Sequence, residues 1–147
     1  MSNGGHSRIS HGVAMVYNNG QLSYRFRKKD GQEWRVDYDN VLPGRWYHLV
    51  STWSQDVGLR LGVNGEHVDT DAESEVRSPL PNGETTYNEF KLGRPNDDTV
   101  VREKHPIVVD EFNFWSDDKS PGEMRDLGRC FVGLRGIALL WFLVGSA

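Results

Sequence analysis

Acidic side chains in two predicted loops are the groups of this chain best suited to hold a metal ion. Asn96, Asp97 and Asp98 follow one another in a polar segment, and Asp56 lies between two predicted strands. Calcium prefers loop carboxylates and carbonyl oxygens as ligands. These four residues are therefore the candidate calcium ligands and calcium the candidate cofactor. Their spacing matches no metal motif, and solvated loop acids are the alternative interpretation.

The carboxylates and histidines lack the spacing that catalysis requires. Hydrolysis of a glycosidic bond needs two carboxylates that converge on one cleft. Asp110 and Glu111 are adjacent in a predicted strand and therefore point to opposite faces. His48 lies mid-strand among apolar residues, and the other four histidines show no metal-ligand spacing. We expect no catalytic residue and no enzymatic activity.

Tryptophan side chains could stack against sugar rings wherever they are exposed. Trp34, Trp46, Trp53 and Trp115 all occupy predicted strand positions, where packing in a core is the more common role. Trp46 begins one alternating face of a strand that is apolar on both faces. The sequence therefore predicts that Trp46 is largely buried between two sheets.

The strands that position these groups are predicted most clearly between Gly44 and Gly65. Even-numbered residues 46 to 52 fall on one face of a strand and odd-numbered residues 47 to 53 on the other, and both faces carry large apolar groups. Residues 58 to 63 alternate as a neighbouring strand with one buried face. Asn64 and Gly65 supply the positive backbone angles of a two-residue hairpin turn. Before this block, residues 12 to 37 predict a three-stranded meander with Gly and Asn in its turns.

Four ordered motifs resemble the laminin G-like, concanavalin A-like family. The block just described resembles the family pattern Gly-x-Trp-x-His-Val-Ala-x-Thr-Trp, a short loop, and Leu-x-Leu-x-Val-Asn-Gly. Residues 90–94 resemble its aromatic-x-Ile-Gly strand and residues 108–115 its Ile-Asp-Glu-Val-x-Ile-Trp strand. Residues 120–127 resemble the short helix that begins Ser-Pro-x-Glu. The resemblance implies an all-β fold, an antiparallel jelly-roll β-sandwich.

The same resemblance implies a class of function but no single ligand. It implies a lectin-like module for cell adhesion or carbohydrate binding, located outside the cell or on its surface, with a glycan or an extracellular protein as partner. The alternatives are an accessory carbohydrate-binding domain of a larger enzyme or receptor, and a structural spacer. The Glu-x-Asp-x-x-Glu pattern of jelly-roll glycanases is absent from the sequence.

Composition supports a folded, soluble-looking module. Of the 147 residues, 37% are apolar and 26% charged. The net charge is −4, and acidic and basic residues are interspersed, which excludes the basic face typical of nucleic-acid binding. The single cysteine, Cys130, excludes an internal disulfide. No secretory signal opens the sequence, and the resemblance implies further strands before residue 12. We therefore expect a domain that is incomplete at its amino end.

The carboxyl-terminal segment departs from the family pattern. Residues 137–144 are eight consecutive apolar residues, fewer than the about 20 of a membrane span. Three interpretations remain open: the start of a membrane helix, a segment packed on the sandwich, or sequence foreign to the domain. We expect residues 1–128 to form the β-sandwich and residues 129–147 to be a hydrophobic tail. The lack of alternation favours a tail that does not complete the sandwich. Such a tail would allow contact with a membrane or with a second copy.

Overall fold

The structure, a computed structural model, describes residues 11–76, 91, 107–110, 120–129 and 140–144. Within these residues the chain forms nine strands and one helix. They are β1 (Gly12–Asn18), β2 (Gln21–Arg27), β3 (Gln32–Tyr38), β4 (Trp46–Ser54), β5 (Gly58–Val63), β6 (Glu66–Asp71), β7 (Glu75–Val76), β8 (Ile107–Asp110), α1 (Pro121–Arg129) and β9 (Leu140–Val144). The strands build two antiparallel sheets, with orders β1-β2-β3-β7 and β6-β5-β4-β9-β8. The predicted all-β sandwich is confirmed.

Tight turns set the register of both hairpin regions. In the four-stranded sheet, Asn19 and Gly20 join β1 to β2 with φ values of 47° and 85°. In the five-stranded sheet, Asn64 and Gly65 join β5 to β6 with φ values of 54° and 80°. Asn and Gly tolerate this left-handed conformation better than other residues do. The predicted meander and the predicted Asn-Gly turn are therefore both confirmed.

The core lies between the two sheets and is rich in aromatic rings. Trp53 of β4 packs against Phe26 and Trp34 of the opposite sheet, with ring centroids 4.6 and 5.4 Å apart. Tyr38 and Tyr47 make a second edge-to-face contact across the sheets at 6.3 Å. Aromatic pairs in such geometries add about 0.5–1.5 kcal/mol to the free energy of area burial. These contacts fix how the two sheets face each other.

Helix α1 covers part of the outer face of the five-stranded sheet. Met124 of the helix is buried against Val50 of β4. A Cβ atom at Gly62 would lie 3.0 Å from the terminal methyl carbon of Met124, so the helix approaches β5 closely because residue 62 has no side chain. The outer face of β4 is therefore covered at Val50 by the helix.

The start of α1 is fixed by a capping box. The backbone N–H of Glu123 donates to Ser120 Oγ at 3.3 Å, and the N–H of Ser120 donates to Glu123 Oε2 at 2.8 Å. This reciprocal pairing satisfies two donors at the helix start, and Pro121 occupies the first helical position. The predicted helix after Ser120 is confirmed.

Strand β9 overturns the interpretation that the tail does not complete the sandwich. Leu140–Val144 pairs antiparallel with β4 on one side and with β8 on the other. The segment therefore belongs to the sheet, and that interpretation is wrong for these five residues. A strand in the interior of a sheet can carry apolar residues at every position, so the lack of alternation does not exclude a strand. In the described residues, no helix has the length and apolar character needed to cross a membrane.

Two aspartates close the exposed edge of β3. The backbone N–H of Arg35 donates to Asp71 Oδ2 at 2.7 Å, and that of Asp37 donates to Asp69 Oδ2 at 2.9 Å. Both aspartates belong to β6 of the other sheet. Side-chain carboxylates thus take the place of a neighbouring strand beyond the short pairing of β3 with β7. The two sheets are joined along this edge.

We expect Asp69→Ala to lower the free energy of unfolding by about 1.5–3 kcal/mol, the usual range for a hydrogen bond to a charged group. Asp69 also accepts the N–H of Thr70 at 2.8 Å, so the change removes two acceptors. Asp69→Asn should recover much of the loss because it keeps one oxygen. Urea unfolding measures the effect, and Asp56→Ala, in an exposed turn, is the matched control. Equal stability of Asp69→Ala and the wild type would contradict the edge contact.

Candidate functional site

The loop between β3 and β4 is held in one conformation by Tyr47. The N–H of Leu42 donates to the Tyr47 hydroxyl at 2.7 Å, and that hydroxyl donates to the carbonyl of Asn40 at 3.3 Å. The N–H of Val41 donates to the carbonyl of Gly20 at 3.1 Å, and the Val41 side chain is buried. The loop is therefore anchored to both sheets.

Two large apolar side chains emerge where this anchored loop enters β4. Leu42 is 50% exposed and Trp46 is 43% exposed. The prediction that Trp46 is buried between the sheets is therefore wrong. Trp46 shares the outer face of β4 with Val50, which α1 covers, but it lies four residues, about 13 Å along the strand, from that contact. Within the described residues, the helix contacts this face at Val50, and the face becomes exposed at Trp46.

Val108 lies on the same outer face as Trp46. Trp46 pairs with Leu143 of β9, and Leu143 pairs with Val108 of β8. Directly paired residues of an antiparallel sheet face the same side, and two strand spacings separate Trp46 from Val108 by about 10 Å. Val108 is 48% exposed. We call Leu42, Trp46 and Val108 the apolar rim.

His48 follows Trp46 on this face but is a packed residue. It is only 2% exposed, and burial lowers the pKa of its imidazole from 6.5 to about 4. Its backbone is tied to the hairpin turn, since its N–H donates to Asn64 Oδ1 at 2.9 Å and its carbonyl accepts the N–H of Asn64 at 2.8 Å. A neutral histidine here supports the strand beneath Trp46.

Of the other four tryptophans, two pack in the core, Trp141 is part of β9, and one lies outside the described residues. Trp34 is buried, and Trp53 packs between the sheets against Phe26 and Trp34. Trp115 lies outside the described residues. Among the tryptophans whose side chains the structure describes, Trp46 is thus the most exposed. In the sequence, the signal for this exposure was the position of Trp46 as the first residue of a strand that follows a Pro-Gly turn.

Only one of the four candidate calcium ligands, Asp56, lies in the described part of the chain. Asp56 is exposed in the turn between β4 and β5. Across the described residues, no group of three acidic, histidine or cysteine side chains could hold a metal ion. Asn96, Asp97 and Asp98 lie outside these residues. Calcium binding stays a prediction.

Comparison with known proteins identifies the family. A laminin G model, described as the concanavalin A-like lectin/glucanases superfamily, matches residues 1–125. No curated protein and no solved structure gave a match. The matched region contains the meander, the two hairpin strands and the start of α1, which are the elements described above. With two antiparallel sheets, a helix on the outer face and this match, the chain belongs to the concanavalin A-like lectin/glucanase superfamily, as a laminin G-like domain.

Proposed function

We propose that this domain is a non-enzymatic recognition module that binds glycans through the apolar rim, with Trp46 as the stacking surface. The observation that carries the proposal is the 43% exposure of Trp46 at the end of a strand whose other residues are buried or half-buried. Exposed apolar patches on folded proteins commonly mark binding sites. The proposed location is the extracellular space or the cell surface.

The support beneath Trp46 is rigid, which favours recognition. Tyr47 anchors the loop on one side of the rim, and His48 ties the strand to the Asn64 turn. A preorganised surface loses little conformational entropy when a ligand binds. An indole held in this way can accept the apolar face of a sugar ring, with the polar groups of the sugar left in water.

Three carboxylates of β3 and β6 are engaged within the protein, which favours a binding role for this part of the domain over hydrolysis. Asp69 and Asp71 accept backbone hydrogen bonds, and Asp37 forms an ion pair with Arg35 at 3.0 Å. Each of these three carboxylates therefore has a structural task at the edge or on the face of the sheet.

The second candidate function is that of an accessory carbohydrate-binding domain of a larger enzyme or receptor. In that case, too, the apolar rim would be the binding surface.

We expect Trp46→Ala to weaken glycan binding about tenfold. Stacking that covers roughly 50 Å² of apolar surface is worth about 1.3 kcal/mol, close to one decade in Kd. A glycan array, run with and without calcium, would identify the ligand class, and titration of tryptophan fluorescence would measure the Kd. Calcium dependence, lost in Asp97→Ala, would assign the ion to the predicted loop.

Val16→Ala is the matched control for Trp46→Ala. Val16 is an exposed apolar residue on the four-stranded sheet, away from the rim. The control should bind as the wild type does. Glycan binding by Trp46→Ala at full affinity would exclude the rim as the site. An array without any glycan signal, together with capture of a protein partner that Trp46→Ala abolishes, would replace the glycan by a protein ligand.

A further inference from the structure

Three arginines lie together on the outer face of the four-stranded sheet. Arg25 and Arg27 are two residues apart on β2 and therefore share a face. Arg35 of β3 is directly opposite Arg25 in the register. Like charges directly opposite one another destabilise a sheet unless other groups compensate them. The partners of each arginine therefore decide what this face can bind.

Arg35 and Arg27 are compensated. Arg35 Nε donates to Asp37 Oδ1 at 3.0 Å, and its Nη2 donates to Ser23 Oγ at 3.2 Å. Arg27 is buried directly opposite the buried Glu33, and both residues have interaction partners, although the Nε atom of Arg27 itself makes no hydrogen bond. The charges of these two arginines are thus engaged within the protein.

Arg25 is the member of the cluster that remains uncompensated. Its Nε atom is buried and has no hydrogen-bond partner, and no described carboxylate pairs with it. On its other side, the register places Ala14, which is buried and has no polar side-chain group. A buried donor without a partner destabilises the folded protein, and more so when the group is charged. Native proteins satisfy most such groups with protein, water or a bound ion.

We propose that Arg25, flanked by Arg35, binds an oxyanion: a carboxylate, sulfate or phosphate group of a ligand. The guanidinium is a planar fork that matches two oxygens of such a group, and an anion here would offset the repulsion between Arg25 and Arg35. The site lies on the sheet opposite the one that carries the apolar rim. It therefore does not depend on glycan binding at Trp46.

Titration of the whole chain with simple anions tests this site. Sodium sulfate, phosphate and acetate are added at constant ionic strength against chloride, and NMR shifts of arginine Nε–H groups report saturable binding. We expect the Arg25 signal to move with at least one anion. The anion that binds most tightly distinguishes a sulfated, a phosphorylated and a carboxylated ligand.

Arg25→Gln should weaken that binding at least tenfold, and Arg25→Lys should weaken it less because the charge remains. Arg60→Gln, on the other sheet, is the matched control and should bind as the wild type does. If Arg25→Gln fails to fold, Arg25→Lys supplies the comparison. Equal affinities in the wild type and both Arg25 variants, or no saturable shift with any of the three anions, would overturn the site.

Discussion

Phe142→Pro is expected to destroy the cooperative fold, while Phe142→Ala leaves a folded, less stable protein. Residue 142 is in the middle of β9, paired with Tyr47 of β4 and with Val109 of β8. Proline has no N–H to donate to the ladder, and its ring is not tolerated in a central strand. Because both variants lose the phenyl ring, the difference between them isolates the backbone pairing.

We expect this difference to exceed about 3 kcal/mol, the cost of proline inside a hydrogen-bonded element, and circular dichroism with urea unfolding measures it. Loss of β9 leaves one edge of β4 unpaired and removes the described partner of β8. A chain that ends at Leu127 should therefore unfold or aggregate. Two variants of equal stability, or a soluble and equally stable shortened chain, would show that β9 does not hold the sheet together.

Acidification is expected to destabilise the protein through His48. The pKa of this imidazole is about 4 in the folded protein, because of burial, and 6.5 without burial. Between these values the unfolded chain binds the proton and the folded chain does not, so the free energy of unfolding falls as the pH falls. The contribution of the neutral His48 to the free energy of unfolding is complete above pH 6.5 and lost below pH 4. A pKa difference of this size corresponds to about 3 kcal/mol in the free energy of unfolding.

His48→Gln should remove this slope between pH 6.5 and pH 4. Urea unfolding at half-unit steps of pH measures it, and His67→Gln is the matched control because His67 is exposed on β6. His67→Gln should keep the slope of the wild type. If the wild type and His48→Gln lose stability in parallel over this range, the slope comes from other groups and the assignment to His48 fails.

Local signals in the sequence predicted the strands well. Alternation from Trp46 to Trp53 and the Asn64-Gly65 turn both act over a few residues, and the structure has the predicted strand and hairpin there. The cap at Ser120 is equally local, and α1 begins at the next residue. Propensity, turn chemistry and capping all depend on neighbours in the chain, so a single sequence contains them.

Contacts between distant segments were the part that the sequence did not reveal. Alternation assigns Trp46 and Val50 to the same face, but only the position of Met124, more than seventy residues later, decides which of the two is covered. The same is true of β9, whose uniform apolar character fits a buried strand, a buried helix segment or a membrane segment equally well. The exposure of Trp46, and with it the candidate site, became visible only in three dimensions.

The two carboxylates along β3 have a consequence for association between copies of this chain. A strand with free N–H groups is a template on which an extended segment of another molecule can add, as in amyloid growth. Asp69 and Asp71 occupy those donors with side chains that cannot propagate a ladder. This protection of the β3 edge against strand addition is local and lies outside the hydrophobic core. A variant that lacks both carboxylates would therefore lose stability and, while still folded, would expose the N–H groups of this edge, so that its fibril formation would rise with protein concentration.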